Sequence, residues 1–518
     1  MPAYTITPED ILFFRDGRPM ETAGGHGARW PEPSVIFDAL HAALHRAFPD
    51  SQAWEHPHRY GRSSDRDMSR ARTQRFGALA TAGPFPVVLG SARASRAVAG
   101  APPDTSAGDA LWLFPTPADA TTSLDQSTWL LKPIDQSHRS DQSNLPVPLR
   151  YPVASFAPPT KDTPPPWWSA RAWQAYLAGT LPDRAEQFTD DDLFAREWHT
   201  GIAIDPATGT TGHGQAEGKI YAAQYLRLRD GVCMGIHATM PMKNGHPGPS
   251  AELIRHLFPA NRTLIVGGQQ RVCQVEEILD AGQPVPLGKL LPVSPPITGT
   301  RVKWVLLSPA VFPAIAGDTA KGITAHPGGW LPNWVAPRDD FPVLCGSKVE
   351  KVEKGRVLLK ADQARQPGES RDAWRERVRK APFLNCRLVA AVIPKPIPIT
   401  GWTERLHLLA AEREIWEREG APHGPRPTLL AVPAGAVYYF EADSAEAAAQ
   451  LAAALNWHGS LADPADPPDP SHFTTIRNRR STLLGEKGFG LGVCGTWQFH
   501  RPDQSDRSNP SNPSDPSV

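Results

Sequence analysis

The chain opens on alternating β-prone residues. In AYTITPEDILFFRDGRPM, residues 3–20, two short apolar runs flank turn-forming residues, and Asp16-Gly17 is a hairpin signal. A glycine-rich loop, GGHG at 24–27, comes next. Ile36, Leu40, Ala43, Leu44 and Ala47 then recur at helical spacing after Pro33, with Ser34 as the expected cap and Asp38 suited to the positive first turn. Strand, glycine loop and helix form the opening unit.

From residue 198, WHTGIAID and KIYAAQYLRLR read as two strands around PATGTTGHGQAEG, a long hairpin. TLIVGGQQRVCQV, 263–275, reads as two more strands around a Gly267-Gly268 turn, and a Pro-rich joint at 284–296 suggests a domain boundary. The second half has strands expected at 301–307, 387–393 and 434–441. An Ala-rich helix, SAEAAAQLAAALNW, follows with Ser444 as its cap, and LLGEKGFGLGVCGTWQF closes the patterned sequence.

Two segments break the pattern. Eight of the 21 residues at 146–166 are proline and DQS recurs at 125, 135 and 141, so about 115–166 is expected to be a surface insertion outside the core. Beyond Arg501 no apolar side chain precedes Val518, so 501–518 is expected to be a disordered tail.

At 518 residues the chain has room for two to four domains of roughly 150 residues. Lys and Arg together number 54 and so do Asp and Glu, so a polyanion must be met by local patches. The 56 prolines argue for many loops and against a helical bundle. Cys233, Cys273, Cys345, Cys386 and Cys494 are widely spaced and odd in number, which fits neither a zinc motif nor a disulfide framework. With no signal-peptide pattern and no long apolar run, the expectation is a soluble cytoplasmic protein without a membrane segment.

Several constellations could carry chemistry. Gly490, Gly492 and Gly495 satisfy G-x-G-x-x-G, but no helix follows, which excludes a dinucleotide fold. What remains is a glycine-dense loop whose N–H groups could approach phosphates, preceded by Arg477, Arg479, Arg480 and Lys487; a packed turn is the simpler alternative. Arg59, Arg62, Arg66 and Arg70 would align on one helical face and suit a phosphodiester backbone, or else form a solvated loop. Tyr60 and Phe76 flank that run as stacking or core aromatics. His41 and His45 have metal-ligand spacing without a third ligand and are expected to be exposed or to face a partner. His26 is the one candidate general base for metal-independent RNA cleavage. The carboxylates at 190–192 and 339–340 are assigned no chemistry.

Taken in order, LFFRDGRPM, PSVIFDALHAAL, LWLFPTPAD, GIAIDPATGTTGHGQAEGKIY, GGQQR, VPAGAVYYFE and GEKGFGLG carry a resemblance. The chain resembles the RAMP superfamily, and within it the third subunits of the Cmr complex, the type III-B CRISPR effector. The resemblance extends from about residue 4 to 497, leaving out the insertion and the tail, and implies two ferredoxin-like (RRM-related) domains with glycine-rich loops. With the Pro-rich joint as boundary, the expectation is an α+β chain of domains at 1–290 and 291–500, plus the Pro-rich insertion and the disordered tail.

It also implies a subunit that is not the nuclease, and with no metal motif in the sequence no cofactor or metal is expected. Such a subunit recognises the 5′ tag of the crRNA, docks onto the large cyclase/polymerase-like subunit and adjoins a RAMP backbone subunit in antiviral defence. Target RNA is cut by the repeated backbone subunit in that family. Carried over by motif, the implied RNA-binding positions are Arg15 and Arg18; Gly267, Gly268 and Arg271; and Gly488, Gly490 and Gly492. Arg62, Arg66, Arg70, Arg479, Arg480 and Lys487 join them on charge. Where such proteins tend to read GALR in the first helix, this chain reads DALH, with Asp38 and His41 at the small and basic positions. The alternatives are a RAMP endoribonuclease processing precursor crRNA, with His26 as base, and the equivalent subunit of a sister type III complex.

Overall fold

The computed structural model describes residues 1–14, 24–25, 29–48, 76, 79–90, 110–123, 127–135, 145–155, 160–211, 220–240, 250–258, 263–280, 282–318, 323–345, 348–360, 366, 368–403, 424–425, 427–459 and 469–500. In the first half, chain order runs β1 (Ala3–Pro8), α1 (Pro33–Ala47), β2 (Ala80–Val88), β3 (Leu111–Pro115), β4 (Trp167–Ser169), α2 (Ala170–Leu177) and β5 (Gln187–Phe188). It continues with the hairpin β6 (Phe194–Ile202) and β7 (Ile220–Leu228), then β8 (Val232–Thr239), α3 (Ser250–Leu257), β9 (Thr263–Val266) and β10 (Arg271–Glu277). An eight-stranded sheet has the order β5-β4-β3-β2-β8-β1-β10-β9.

The second half holds β11 (Arg301–Leu306), the hairpin β12 (Phe341–Cys345) and β13 (Lys348–Val352), α4 (Arg371–Lys380), β14 (Cys386–Val392), β15 (Val437–Ala442), α5 (Ala445–Leu455) and β16 (Gly492–Thr496). Its four-stranded sheet runs β14-β15-β11-β16.

One plan occurs twice. The first half runs β1, α1, β2, β8, α3, β10 with β2-β8-β1-β10 side by side; the second runs β11, α4, β14, β15, α5, β16 with β14-β15-β11-β16 side by side. In each, the first strand lies between the third and the fourth, and all these neighbours are antiparallel.

Alternation along the strands explains the layering. Tyr4 and Ile6 of β1 face one way and join Ile36, Leu40 and Leu44 of α1, Ile254 and Leu257 of α3, and Leu264, Val266 and Val275. Ala3 faces the other way, into a cluster with Phe85, Val87, Trp112 and Phe114 that also takes in Val305, Val437, Tyr439 and Val493 of the second sheet. The sheets therefore share this core. The far face of the second sheet, Val302, Trp304, Leu306, Tyr438 and Phe440, is covered by Ala448, Leu451 and Leu455 of α5. Each fully buried large aliphatic side chain contributes about 1.5–3 kcal/mol.

The shared core contains charge. Lys303 follows Val302 in β11, so alternation turns it toward the first half, where it is almost fully buried. Its ammonium lies 3.9 Å from the buried Asp119 carboxylate and 3.4 Å from the centre of the Tyr176 ring. Asp119 accepts hydrogen bonds from the Tyr176 hydroxyl at 2.8 Å and the Tyr439 hydroxyl at 2.9 Å. Burial pushes the Lys303 pKa down to about 8, against the pull of Asp119.

These contacts correct the expectation that 115–166 lies outside the core. Asp119 and Ala120 are buried, and the N–H groups of Arg150 and Tyr151 donate to Val389 O on β14. Proline content marks loops, but it does not exclude a loop from carrying an anchor. The start of α1 differs too. Pro33 is its first residue and Glu32 its N-cap, without a side-chain cap bond, because a ring-fixed φ suits the first helical position. Ser34 is thus inside the helix and Asp38 beyond its first turn. His45 is buried, its ring 5.0 Å from the buried Phe76, rather than exposed or turned to a partner. Ser444 does cap α5, accepting from Ala447 N at 3.1 Å.

Among the described residues no helix is long and apolar enough to cross a membrane.

Candidate nucleic-acid interface

Three elements meet at the turn joining β9 to β10. Gly267 has φ +70°, and a Cβ there would lie 2.6 Å from Phe13 O; one on Gly268 would lie 2.6 Å from the Phe13 ring. Gly268 N donates to Phe13 O at 2.9 Å. The two glycines let the turn close onto Phe13 and Phe14, the last described residues before Arg15. Gln269 and Gln270 are also left-handed, at φ 58° and 51°, an unusual pair for residues with a Cβ.

The β6–β7 hairpin brings the rest. Its register sets Glu197 opposite Tyr225 and His199 opposite Ala223, so these residues share the face toward Phe13. The Tyr225 hydroxyl and the Arg271 guanidinium both donate to Gln269 Oε1 at 2.8 Å. Arg271 stacks over the Tyr225 ring at 5.2 Å, and the His199 and Phe13 rings lie 4.6 and 5.3 Å from it. Arg227 holds Asp10 at 3.0 Å and pairs with Glu197, whose carboxyl is kept below its ordinary range first by that hydrogen bond. The opposite face of the hairpin leaves Trp198, Ile202 and Ile220 exposed. The Tyr225 ring is itself buried under these groups, so the surface on offer is the guanidinium charge, the exposed His199 ring and the left-handed backbone of Gln269 and Gln270, which suit the phosphates and a base of a single RNA strand.

Of the residues proposed from sequence, Gly267, Gly268 and Arg271 are brought together here. Tyr225, Arg227, His199 and Gln269 were missed, although the alternation of KIYAAQYLRLR already set Tyr225 and Arg227 on one face. Gly24 and Gly25 pair in parallel with Ala222 and Ala223, which sets these two glycines beside β7. Arg15, Arg18, His26, Arg62, Arg66, Arg70 and the Asp16-Gly17 turn lie outside the described residues.

The closing glycine loop lies elsewhere and inside. Gly488, at φ +95°, packs so that a Cβ would meet Thr81 O of β2 at 2.9 Å; a Cβ on Gly490, at φ +74°, would strike Ser481, and one on Gly492 the Trp304 indole. Lys487 is buried, 2.5 Å from Asp38 and 4.8 Å from the centre of the Phe37 ring. Arg479 donates to Gly485 O at 2.6 Å and Arg480 to Ala454 O, and burial lowers both pKa values to about 10. Packing accounts for these glycines and for the side chains before them. Asp190 bonds Trp167 and Arg196, and Asp339 pairs with Lys354, so both carboxylate runs have structural partners. Among the described residues no group of His, Cys, Asp and Glu could hold a metal ion.

Residues 4–335 and 347–497 match the family model described as CRISPR-associated protein (Cas_Cmr3). The chain belongs to that family. The match stops short of the tail and agrees with the Cmr resemblance read from the sequence motifs, but it runs through the insertion that the motifs left out.

No curated protein matches the chain. Two solved structures show looser likeness. A subunit in the cryo-EM structure of the Type III-B Cmr-beta bound to cognate target RNA and AMPPnP is 13% identical, with 84% of this chain and 86% of that one covered and a TM-score of 0.35. One in the crystal structure of the Csm3-Csm4 subcomplex of the type III-A CRISPR-Cas interference complex is 8% identical, with 86% and 93% covered and a TM-score of 0.32. At such scores neither carries architectural detail for this family member.

Proposed function

We propose that this chain is the non-catalytic, RNA-binding subunit of a type III-B CRISPR ribonucleoprotein. In this reading it recognises the 5′ tag of the crRNA and docks onto the large cyclase/polymerase-like subunit beside a RAMP backbone subunit. Family membership supports the complex. The repeated order of strand, helix, two strands, helix and strand supports reading both halves as ferredoxin-like. The observation that carries RNA recognition is the meeting of Arg271, Tyr225 and Gln269 at the Gly267-Gly268 turn, against the phenylalanines that lead to Arg15. There Arg271 is held by a neutral amide and an aromatic face, with Asp10 no nearer than 4.0 Å, so its charge remains available to a phosphate or a base edge.

The test is binding of tagged and untagged repeat RNA to the purified full chain. The parent should prefer the tagged RNA and leave it uncut, and Arg271→Ala should reduce that preference about tenfold, the value of one charge-assisted hydrogen bond. Equal binding of the two RNAs by the parent would defeat tag recognition. Cleavage within the repeat, lost in His26→Ala, would establish the endoribonuclease reading instead.

A further inference from the structure

The most basic stretch with described structure lies far along the sequence from the turn. Between 348 and 387 there are twelve Lys and Arg residues against six Asp and Glu, in a chain whose total charge is zero. At its centre is α4, RDAWRERVRK. By its place between the first and second strands of its half, α4 corresponds to α1. Yet α1 buries seven residues, among them Ile36, Phe37, Leu40 and Leu44, whereas α4 buries none. The sheet face it could have covered is filled by Phe312, Leu331, Val335, Val357 and Leu359.

The helix is nonetheless well anchored at both ends. Ser370 accepts from Ala373 N at 3.1 Å, Glu369 holds Arg377 at 2.8 Å, and Lys360 Nζ caps the far end by donating to Arg379 O at 2.6 Å. Arg371, Arg375 and Arg379 are four residues apart, hence on one face about 6 Å apart along the axis, and all three are exposed. Lys380 adds a further exposed charge at the end of the helix, about a quarter-turn from that face. The facing carboxylates are too few to neutralise it: Asp372 lies 3.5 Å from Arg375, and Glu376 is shared by Arg379 and Lys380 at 2.7 and 3.1 Å. Exposed pairs of this kind are worth about 0–1 kcal/mol, so a phosphate can displace them.

We propose that the Arg371–Arg375–Arg379 face of α4 is a second RNA-binding surface, which grips the phosphodiester backbone of a single strand without reading its sequence. The inference rests on the RNA-binding role proposed above and adds a contact in the other half of the chain. A fixed row of guanidinium groups with no base-reading pocket around it contributes affinity and register rather than specificity. An acidic protein surface is the competing occupant, and the measurements separate the two.

The full chain carrying Arg371→Gln, Arg375→Gln and Arg379→Gln together is compared with the parent on tagged and untagged single-stranded RNA over a range of salt. Both RNAs should bind more weakly by a similar factor, the log–log salt slope should shrink by about 2, and the preference for the tag should persist. Asp372→Asn with Glu376→Gln should act in the opposite direction and tighten both RNAs, a gain that misfolding cannot produce. Unchanged affinity and slope in the triple variant overturns the proposal. So does normal RNA binding combined with failure to join the assembled complex, which assigns the face to a protein. The tag reading fails separately, through absence of tag preference in the parent, whatever α4 does.

Discussion

The Lys487 ammonium lies 2.5 Å from a carboxylate oxygen of Asp38, across 449 positions of sequence. The lysine side chain is 3% exposed and the aspartate 47%. The pair ties the closing loop of the second half to the first helix of the chain. It also gives a purpose to the aspartate that departs from the GALR pattern.

Asp38→Ala should therefore lower stability by about 2 kcal/mol, because it leaves a buried ammonium with one fewer partner. Chemical denaturation measures this, and a double cycle with Lys487→Met should recover part of the loss. RNA affinity is expected to stay constant in folded protein. An unchanged unfolding midpoint in the single variant would show that the pair contributes nothing.

Gly490→Ala should cost about 2–4 kcal/mol, since it combines a left-handed φ with a Cβ driven into Ser481. Gly179, also left-handed but with open space around its Cβ position, should cost less on the same substitution. Comparing the two melting temperatures separates crowding from backbone strain.

Asp119→Ala removes the acceptor shared by Tyr176 and Tyr439 and leaves Lys303 buried beside them, so a loss of about 3–5 kcal/mol is expected. Asp119→Asn keeps an acceptor oxygen for the hydroxyls and should be milder. If both variants melt with the parent, the insertion is not anchored through this residue.

Lys303 also makes stability depend on pH. Its folded pKa, about 8, is below the ordinary 10.5, so above pH 8 the folded chain has released a proton that the unfolded chain still holds. Stability then rises with pH, by up to about 1.4 kcal/mol per unit. Buried Cys233, Cys273 and Cys386, raised from 9.0 to about 12, act in the opposite sense above pH 9. The window is pH 8–9. In Lys303→Met the contribution should vanish, and equal slopes for parent and variant across that window would show that Lys303 does not titrate there.

The sequence by itself determined the family and those local elements with a strong periodic or capping signal, but not β2, β8 or the helices α2, α3 and α4. Helical spacing located α1, a serine before an Ala-rich run located α5 and its cap, and alternation located the β6–β7 hairpin and the strands around Gly267-Gly268. These signals repeat within two to four residues, so they are legible without knowing what the chain later touches. The motif order likewise sufficed for the Cmr resemblance that the family match bears out. Only the tertiary structure decided which charges meet. Asp38 looked like a helix-end carboxylate, Lys487 like a phosphate ligand and Asp119 like part of a solvated insertion, yet each is paired across the joint between the halves. That pairing follows from the strand order and from which sheet face is shared, and local periodicity carries neither. The same holds for the glycines: their density announced a close approach, but what approaches Gly490 and Gly492 is Ser481 and Trp304 of the chain itself.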